Sequence, residues 1–148
     1  MANDPRVWIQ EHIQLYLTDP EKAHMWDASA AGFNATIPTL LLITRGRKTG
    51  KDIFSPLVYK EVNGGYVVIA SRGGAPEHPN WYLNLKATPD CEIRVGRNKM
   101  MATARQTEGD ERANIWQQMT QIYPFYDDYQ KRAGERIIPV MMLDPKSA

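Results

Sequence analysis

Apolar and polar positions change period several times along the chain, and each change marks an element. Asp4-Pro5 reads as an N-cap and first-turn proline opening a helix to about Leu17, where Thr18-Asp19-Pro20 ends it. Val7-Trp8-Ile9, Ile13, Tyr16 and Leu17 give this helix an apolar face. Residues 21–37 are mixed and read as loop or short helix, with Trp26 and Phe33 as anchors. The pattern then shortens to that of strands at 39–44, 53–60 and 66–71, the last two joined by Asn63-Gly64-Gly65. Glu77–Lys86 suits a short helix stopped by Thr88-Pro89. Strands at 91–96 and 99–107 flank the hairpin signal Gly96-Arg97-Asn98. Helical spacing returns at Ile115, Trp116, Met119 and Ile122, after a start at Thr107-Glu108-Gly109-Asp110. A second helical stretch follows Pro124, and Ile137–Leu143 closes as a strand.

Short strands, tight turns and few crossover helices predict a mainly antiparallel sheet with flanking helices, an α+β protein. About six strands curling into a barrel would remove exposed edges. A doubly wound parallel sheet fits poorly: helices do not alternate with strands, and no Gly-x-Gly-x-x-Gly fingerprint occurs. The expected organisation is one domain, with a helical segment over 1–38 packed on a barrel spanning 39–145. A length of 148 residues allows one usable core.

Charge narrows the function. A formal net charge of +1 gives no global field to recruit nucleic acid, so electrostatic function must be local. The single Cys91 excludes an intramolecular disulfide, and His12, His24 and His78 are too scattered to predict a metal centre. Cys91 itself reads as a small buried thiol. Asp4, Arg6 and Glu11 interrupt any signal-peptide core, and no stretch approaches the roughly 20 apolar residues of a membrane span, so a cytoplasmic protein is expected. The apolar face of the first helix leaves a peripheral membrane contact open, with docking on the protein's own core favoured.

Three stretches carry candidate chemistry. Thr44-Arg45-Gly46-Arg47-Lys48-Thr49-Gly50-Lys51 packs four cations, two glycines and two hydroxyls where a buried strand emerges. Glycines let backbone N–H groups approach a ligand, and the cations supply charge-assisted hydrogen bonds to phosphate or carboxylate. Taken alone, the stretch reads better as an ordinary solvated turn. A second glycine-and-cation strand exit, Ser71-Arg72-Gly73-Gly74-Ala75, makes a shared anion site the better reading. In His78-Pro79-Asn80-Trp81-Tyr82-Leu83-Asn84-Leu85, Trp81 and Leu85 share a helix face, as do Asn80 and Asn84. Trp81 beside these amides could border a flat heteroaromatic ring, or serve only in packing. Tyr123, Tyr126 and Tyr129 fall at i, i+3 and i+6. Read as one helix face, they are either a phenol wall for an apolar carbonyl substrate or a packing stripe.

Gly46-Arg47-Lys48-Thr49-Gly50, Ser55-Pro56-Leu57, Ala70-Ser71-Arg72-Gly73-Gly74, Pro79–Ala87, Tyr123-Pro124-x-Tyr126-x-Asp128-Tyr129 and Ile138-Pro139-Val140 occur in the order seen in one family. Over about residues 39–145 the chain resembles the deazaflavin-dependent nitroreductases, small reductases that use coenzyme F420. The resemblance implies a six-stranded split β-barrel like that of the FMN-binding oxidoreductases, with reduced F420 as hydride donor. It implies that Arg47, Lys48 and Thr49 hold the phosphate and oligoglutamate end of the cofactor. Ile53, Phe54, Ser55, Pro56, Leu57 and Val58, with Ile69, Ala70, Ser71 and Arg72, would surround its linker and ring. Asn80, Trp81, Tyr82, Leu83 and Asn84 would complete that surround. Ser71 would hydrogen-bond near the reacting ring and Tyr126 would stand over it, with Tyr123 and Tyr129 shaping the acceptor wall. Where some members carry a tyrosine this chain has Val58, and where some carry a basic residue it has Ile53.

The function expected from this resemblance is F420H2-dependent reduction of quinones, enones or nitro-type acceptors. Two alternatives stand beside it: a non-catalytic F420 or FMN carrier, and an FMN enzyme of the same barrel type. The oligomeric state, monomer or homodimer, is left open; split-barrel relatives often dimerise.

Overall fold

The computed structural model of the chain describes residues 5–31 and 34–146. The expected cap at Asp4 and the anchor at Phe33 lie outside the described residues. Helices α1 (Pro5–Thr18) and α2 (Pro20–His24) precede the short strand β1 (Met25–Asp27). Strands β2 (Thr36–Arg45), β3 (Asp52–Val58), β4 (Lys60–Val62) and β5 (Gly65–Ile69) follow, then helix α3 (Asn80–Ala87). The hairpin β6 (Asp90–Val95) and β7 (Asn98–Gln106), helices α4 (Gly109–Ile122) and α5 (Phe125–Ala133), and β8 (Val140–Pro145) complete the chain.

Every strand pairing is antiparallel. The order β2-β6-β7-β8-β5-β4 returns to β2 through β3, which is continuous with β4 across Tyr59. The ring thus contains the six expected strands, but the one read as 53–60 bends into two as it exchanges partner β2 for partner β5. The Tyr59 N–H, between them, bonds the Pro38 carbonyl. With β1 added beside β2, eight strands occur among the described residues. In β3, Pro56 lies opposite Leu41. A proline has no N–H to donate to a ladder, and it is tolerated here because β3 pairs only with β2. That free edge makes the barrel a split one.

Alternation along the strands sorts side chains between the barrel interior and its two helix-covered faces. Leu40, Leu42, Val68, Met141 and Leu143 point inward with Cys91, Ile93 and Ala102, and Trp81, Tyr82 and Leu85 of α3 plug that interior. From the opposite face of β2, Leu41 and Ile43 meet Ile13 and Tyr16 of α1. Val67, Ile69, Val140 and Met142 form the outer cluster with Ile115, Met119, Tyr123 and Tyr126. Each large side chain so buried contributes roughly 1.5–3 kcal/mol. The apolar face of α1 therefore docks on the barrel. Its buried Tyr16 hydroxyl donates to the Thr39 carbonyl at 2.8 Å and accepts from the Gly96 N–H at 3.0 Å. Val7 and Leu17 remain exposed. No helix among the described residues is long and apolar enough to cross a membrane.

Cys91 is buried, and burial pushes its thiol up to about 12, which suits packing and not nucleophilic chemistry. Among the described residues no three His, Cys, Asp or Glu side chains gather as metal ligands would.

Candidate functional site

The first strand exit leaves β2 and folds back on itself. Gly46 N–H bonds the Lys51 carbonyl at 2.7 Å and Gly50 N–H the Gly46 carbonyl at 2.8 Å, with Gly50 at a left-handed φ of 74°. Thr49 serves this turn: its hydroxyl accepts from the Lys51 N–H at 3.2 Å. Arg47 is aimed by helix α3. Its backbone N–H and its Nη1 both donate to Asn84 Oδ1, at 3.2 and 2.9 Å, and Nη2 reaches Asn80 Oδ1 at 3.5 Å. Asn84 is buried and donates in turn to the Thr44 hydroxyl at 3.1 Å. The two amides four apart on α3 hold a guanidinium.

The second exit, after β5, runs through Arg72, Gly73 and Gly74 at φ of 48°, 62° and 84°. Glycine takes such angles freely; an arginine does so at a cost of roughly 1–2 kcal/mol. Gly74 has a further reason to lack a side chain. A Cβ there would stand 2.7 Å from both Arg132 Cβ and the Tyr129 carbonyl oxygen, because α5 packs directly on this loop. The loop is held by Arg136, whose guanidinium donates to the carbonyls of Ala70 at 3.1 Å, Ser71 at 2.7 Å and Ala75 at 2.8 and 3.0 Å. Its Nη1 also lies 3.1 Å from His78 Nδ1. Burial, then the nearby Arg136 and Lys86, lowers the His78 pKa, so the neutral ring is favoured and can accept this bond. Ser71 is buried, and its hydroxyl caps no helix end.

These two exits border two neighbouring hollows. An apolar cavity of about 980 Å³ has β3 residues Phe54 to Val58 as one wall, with Ile69, Ser71, Trp81 and the tyrosines around it. A basic cleft of about 600 Å³ is lined by Arg47, Lys48, Arg72 and Arg136, with Asn80 and Leu83. Arg72 lines both. It is the one lysine or arginine among the described residues that line the apolar cavity.

Most residues expected at the site gather here, and five do not line either part. Thr49 is engaged within its turn, and Ile53 is exposed beside it. Ala70 is wholly buried and offers Arg136 its carbonyl. Tyr82 points its hydroxyl to Gln106 Oε1 at 2.7 Å. Asn84 is buried and accepts from Arg47.

The tyrosines meet differently from the single helix face expected. Helix α4 ends at Tyr123, with φ at −142°, and α5 begins after Pro124, so they converge across a corner. Tyr123 and Tyr126 lie 5.1 Å apart edge to face, and Tyr123 Oη is 2.8 Å from Tyr129 Oη. Burial raises the pKa of Tyr126 and Tyr123 well above the ordinary phenol value, so both stay protonated and can donate hydrogen bonds.

Sequence reasoning missed a wall of the cavity built by the N-terminal segment: Trp8, Ile9, His12 and Trp26. The signal was present in α1, where 9, 13 and 16 define one stripe and 8 and 12 an adjacent one. The first packs on the core, with Ile9 also reaching the cavity, and the second faces the cavity. Burial lowers the pKa of His12, opposed by the Ala23 carbonyl 2.8 Å from Nε2.

The chain is similar to several known proteins. Residues 16–145 match the family described as F420H(2)-dependent quinone reductase. An F420H(2)-dependent quinone reductase of Mycobacterium tuberculosis strain H37Rv is 35% identical over 147 residues, covering 92% of this chain and 95% of that protein. A solved F420-H2 dependent reductase, FDR-A, is 41% identical with a TM-score of 0.66, covering 72% of this chain and 94% of its own. Another solved structure, described as a domain-swapped dimer, is 34% identical with a TM-score of 0.69, covering 95% of this chain and 100% of its own.

Proposed function

This chain belongs to the F420H(2)-dependent quinone reductase family, and we propose that its neighbouring cavity and cleft hold the cofactor and a quinone together. It is an oxidoreductase with coenzyme F420 as cofactor and a quinone as acceptor. The observation that carries the site assignment is Arg72, shared between an apolar cavity and a cleft lined by four cations. A molecule with a flat ring at one end and a phosphate and carboxylates at the other fits that division. Arg47, Lys48 and Arg72 would hold the anionic end, with Arg136 adding its charge while its N–H groups stay on the loop, and β3, Ile69 and Trp81 would enclose the ring. Asn80 and Asn84 act on the cofactor through Arg47.

When bound, reduced F420 supplies the electron pair and hydrogen that the quinone takes up. The chain's part is to fix the two partners, exclude water and answer the charge that develops on the quinone oxygen. The Ser71 and Tyr126 hydroxyls are the donors we assign to that oxygen. Tyr126, kept protonated by burial, acts as hydrogen-bond donor and not as base. Tyr123 and Tyr129, bonded to each other, hold the wall. Val58 leaves this end apolar, which favours quinones and enones over bicyclic nitro compounds. A cytoplasmic location and a homodimer complete the proposal, the latter supported by the domain-swapped relative.

The test is a titration of the protein with F420 and with FMN, followed by F420H2 oxidation with menadione as acceptor. F420 is expected to bind more tightly, and to weaken as salt rises, because the cleft's exposed cations are screened. Arg47→Ala is expected to weaken F420 binding about tenfold, the scale of lost charge-assisted bonds. Equal or tighter FMN binding overturns the cofactor site, and absence of menadione reduction overturns the acceptor reading. Tyr126→Phe keeps the ring and removes the donor. Its kcat and kcat/KM for menadione should fall together by roughly 10–100-fold while F420 affinity stays within about twofold. Unchanged kinetics with a lower melting temperature would return Tyr126 to a packing role.

A further inference from the structure

Trp8 and Trp26 stack with ring centroids 5.2 Å apart and planes 25° from parallel. His12, one turn after Trp8 on α1, lies 6.4 Å from the same Trp26 ring at 21°. All three line the apolar cavity, and both tryptophans are only half buried. Trp26 is fixed by its backbone, since β1 pairs it with Ile37. It packs against the same apolar cluster as Val58, Tyr123, Tyr126 and Tyr129, which places it at the acceptor end of the cavity. No lysine, arginine, aspartate or glutamate stands among Trp8, Ile9, His12, Trp26, Ser29 and Thr39 on this wall.

From this arrangement we propose that Trp26, backed by Trp8 and His12, is the surface that selects a planar, uncharged, fused-ring quinone as acceptor. The inference rests on the reading of this cavity as the acceptor site. Stacked aromatic faces prefer flat partners with extended π-systems, and a small non-aromatic enone gains little from them. The wall supplies at the N-terminal segment the ring that Val58 does not supply on β3.

The experiment compares the parent, Trp26→Leu and Trp26→Phe with menadione and with cyclohex-2-en-1-one as acceptors. F420 affinity is followed by the cofactor's own fluorescence. Menadione binding to the cofactor-free proteins is measured separately by equilibrium dialysis. Trp26→Leu should raise the menadione KM and the dialysis Kd about five- to tenfold, the scale of one lost aromatic stack. Its KM for the enone and its F420 affinity should stay within about twofold, and Trp26→Phe should recover most of the loss. An unchanged menadione KM in Trp26→Leu overturns the proposal. So does an equal loss for both acceptors, which marks a structural role, or a loss of F420 affinity, which gives the wall to the cofactor. If the parent reduces neither acceptor, the acceptor reading of the cavity fails instead. Dialysis then decides the tryptophan surface alone: menadione bound by the parent and lost in Trp26→Leu supports it, and no binding by the parent overturns it.

Discussion

Replacing Gly74 with alanine is expected to destabilise the protein by roughly 2–4 kcal/mol, near the upper end for a single added methyl group. Two costs add at this residue. Its φ of 84° is strained for any side chain. The new Cβ would also lie 2.7 Å from the Tyr129 carbonyl oxygen and 3.0 Å from Tyr129 Cα, backbone atoms that cannot rotate away. Helix α5 must therefore lift off the strand exit, carrying Tyr126 and Tyr129 with it. Urea unfolding should show the loss, and menadione turnover should fall even at temperatures where the variant stays folded. Gly73→Ala is the control: it has φ at 62° but nothing within 4 Å of its Cβ, so it should lose only about 1–2 kcal/mol. Equal losses in the two variants would show that the α5 contact contributes nothing.

The contrast between these glycines shows what the sequence carried. Ser71-Arg72-Gly73-Gly74 was legible as a turn able to approach an anion. Which glycine faces open space and which faces a helix some 55 residues later depends on long-range packing. The barrel strands were legible for a similar reason. In β2, Leu40 and Leu42 go one way and Leu41 and Ile43 the other, a period-2 pattern that burial on both faces turns into a continuous apolar run. The bend at Tyr59 was not legible, because both halves have strand-like composition and only the change of partner separates them. Nor was β1, whose three residues are too short for any period.

The site divides the same way. Arg47, Lys48, Arg72 and Trp81 announced themselves by residue type at or near the strand exits, and the structure brings Arg47 and Lys48 to the cleft, Trp81 to the cavity and Arg72 to both. The roles of Asn80 and Asn84 were hidden, since their spacing on a helix face does not say whether an amide meets a ligand or an arginine. Tyr123 kept its neighbours although Pro124 breaks the helix, because a sharp corner can bring side chains together as well as one face can. Arg136 was invisible. It follows Gly134-Glu135 in a stretch that reads as a solvated connection, and only the folded chain shows four acceptors around its guanidinium.

That arginine gives the second large effect. Arg136→Ala leaves the carbonyls of Ala70, Ser71 and Ala75 without their charged donor, and a half-buried network that loses its centre is expected to lose about 2–4 kcal/mol. Because the same guanidinium lines the basic cleft, F420 affinity should fall together with stability. Arg136→Lys keeps the charge but cannot span the Ala70, Ser71 and Ala75 carbonyls at once, so it should recover part of the cofactor affinity and little of the stability. The parent also carries a pH signature at this point. Burial first, then Arg136 and Lys86, lowers the pKa of His78 below its ordinary 6.5. The unfolded chain therefore takes up a proton near that pH while the folded chain resists until lower pH. This group's effect on stability is absent well above pH 6.5, and stability declines as pH falls through 6.5 toward the folded value. Removing the Arg136 charge should shrink that decline in urea unfolding followed between pH 7 and about 5. A variant with the parent's stability, F420 affinity and pH slope would mean that the loop holds its shape without the arginine.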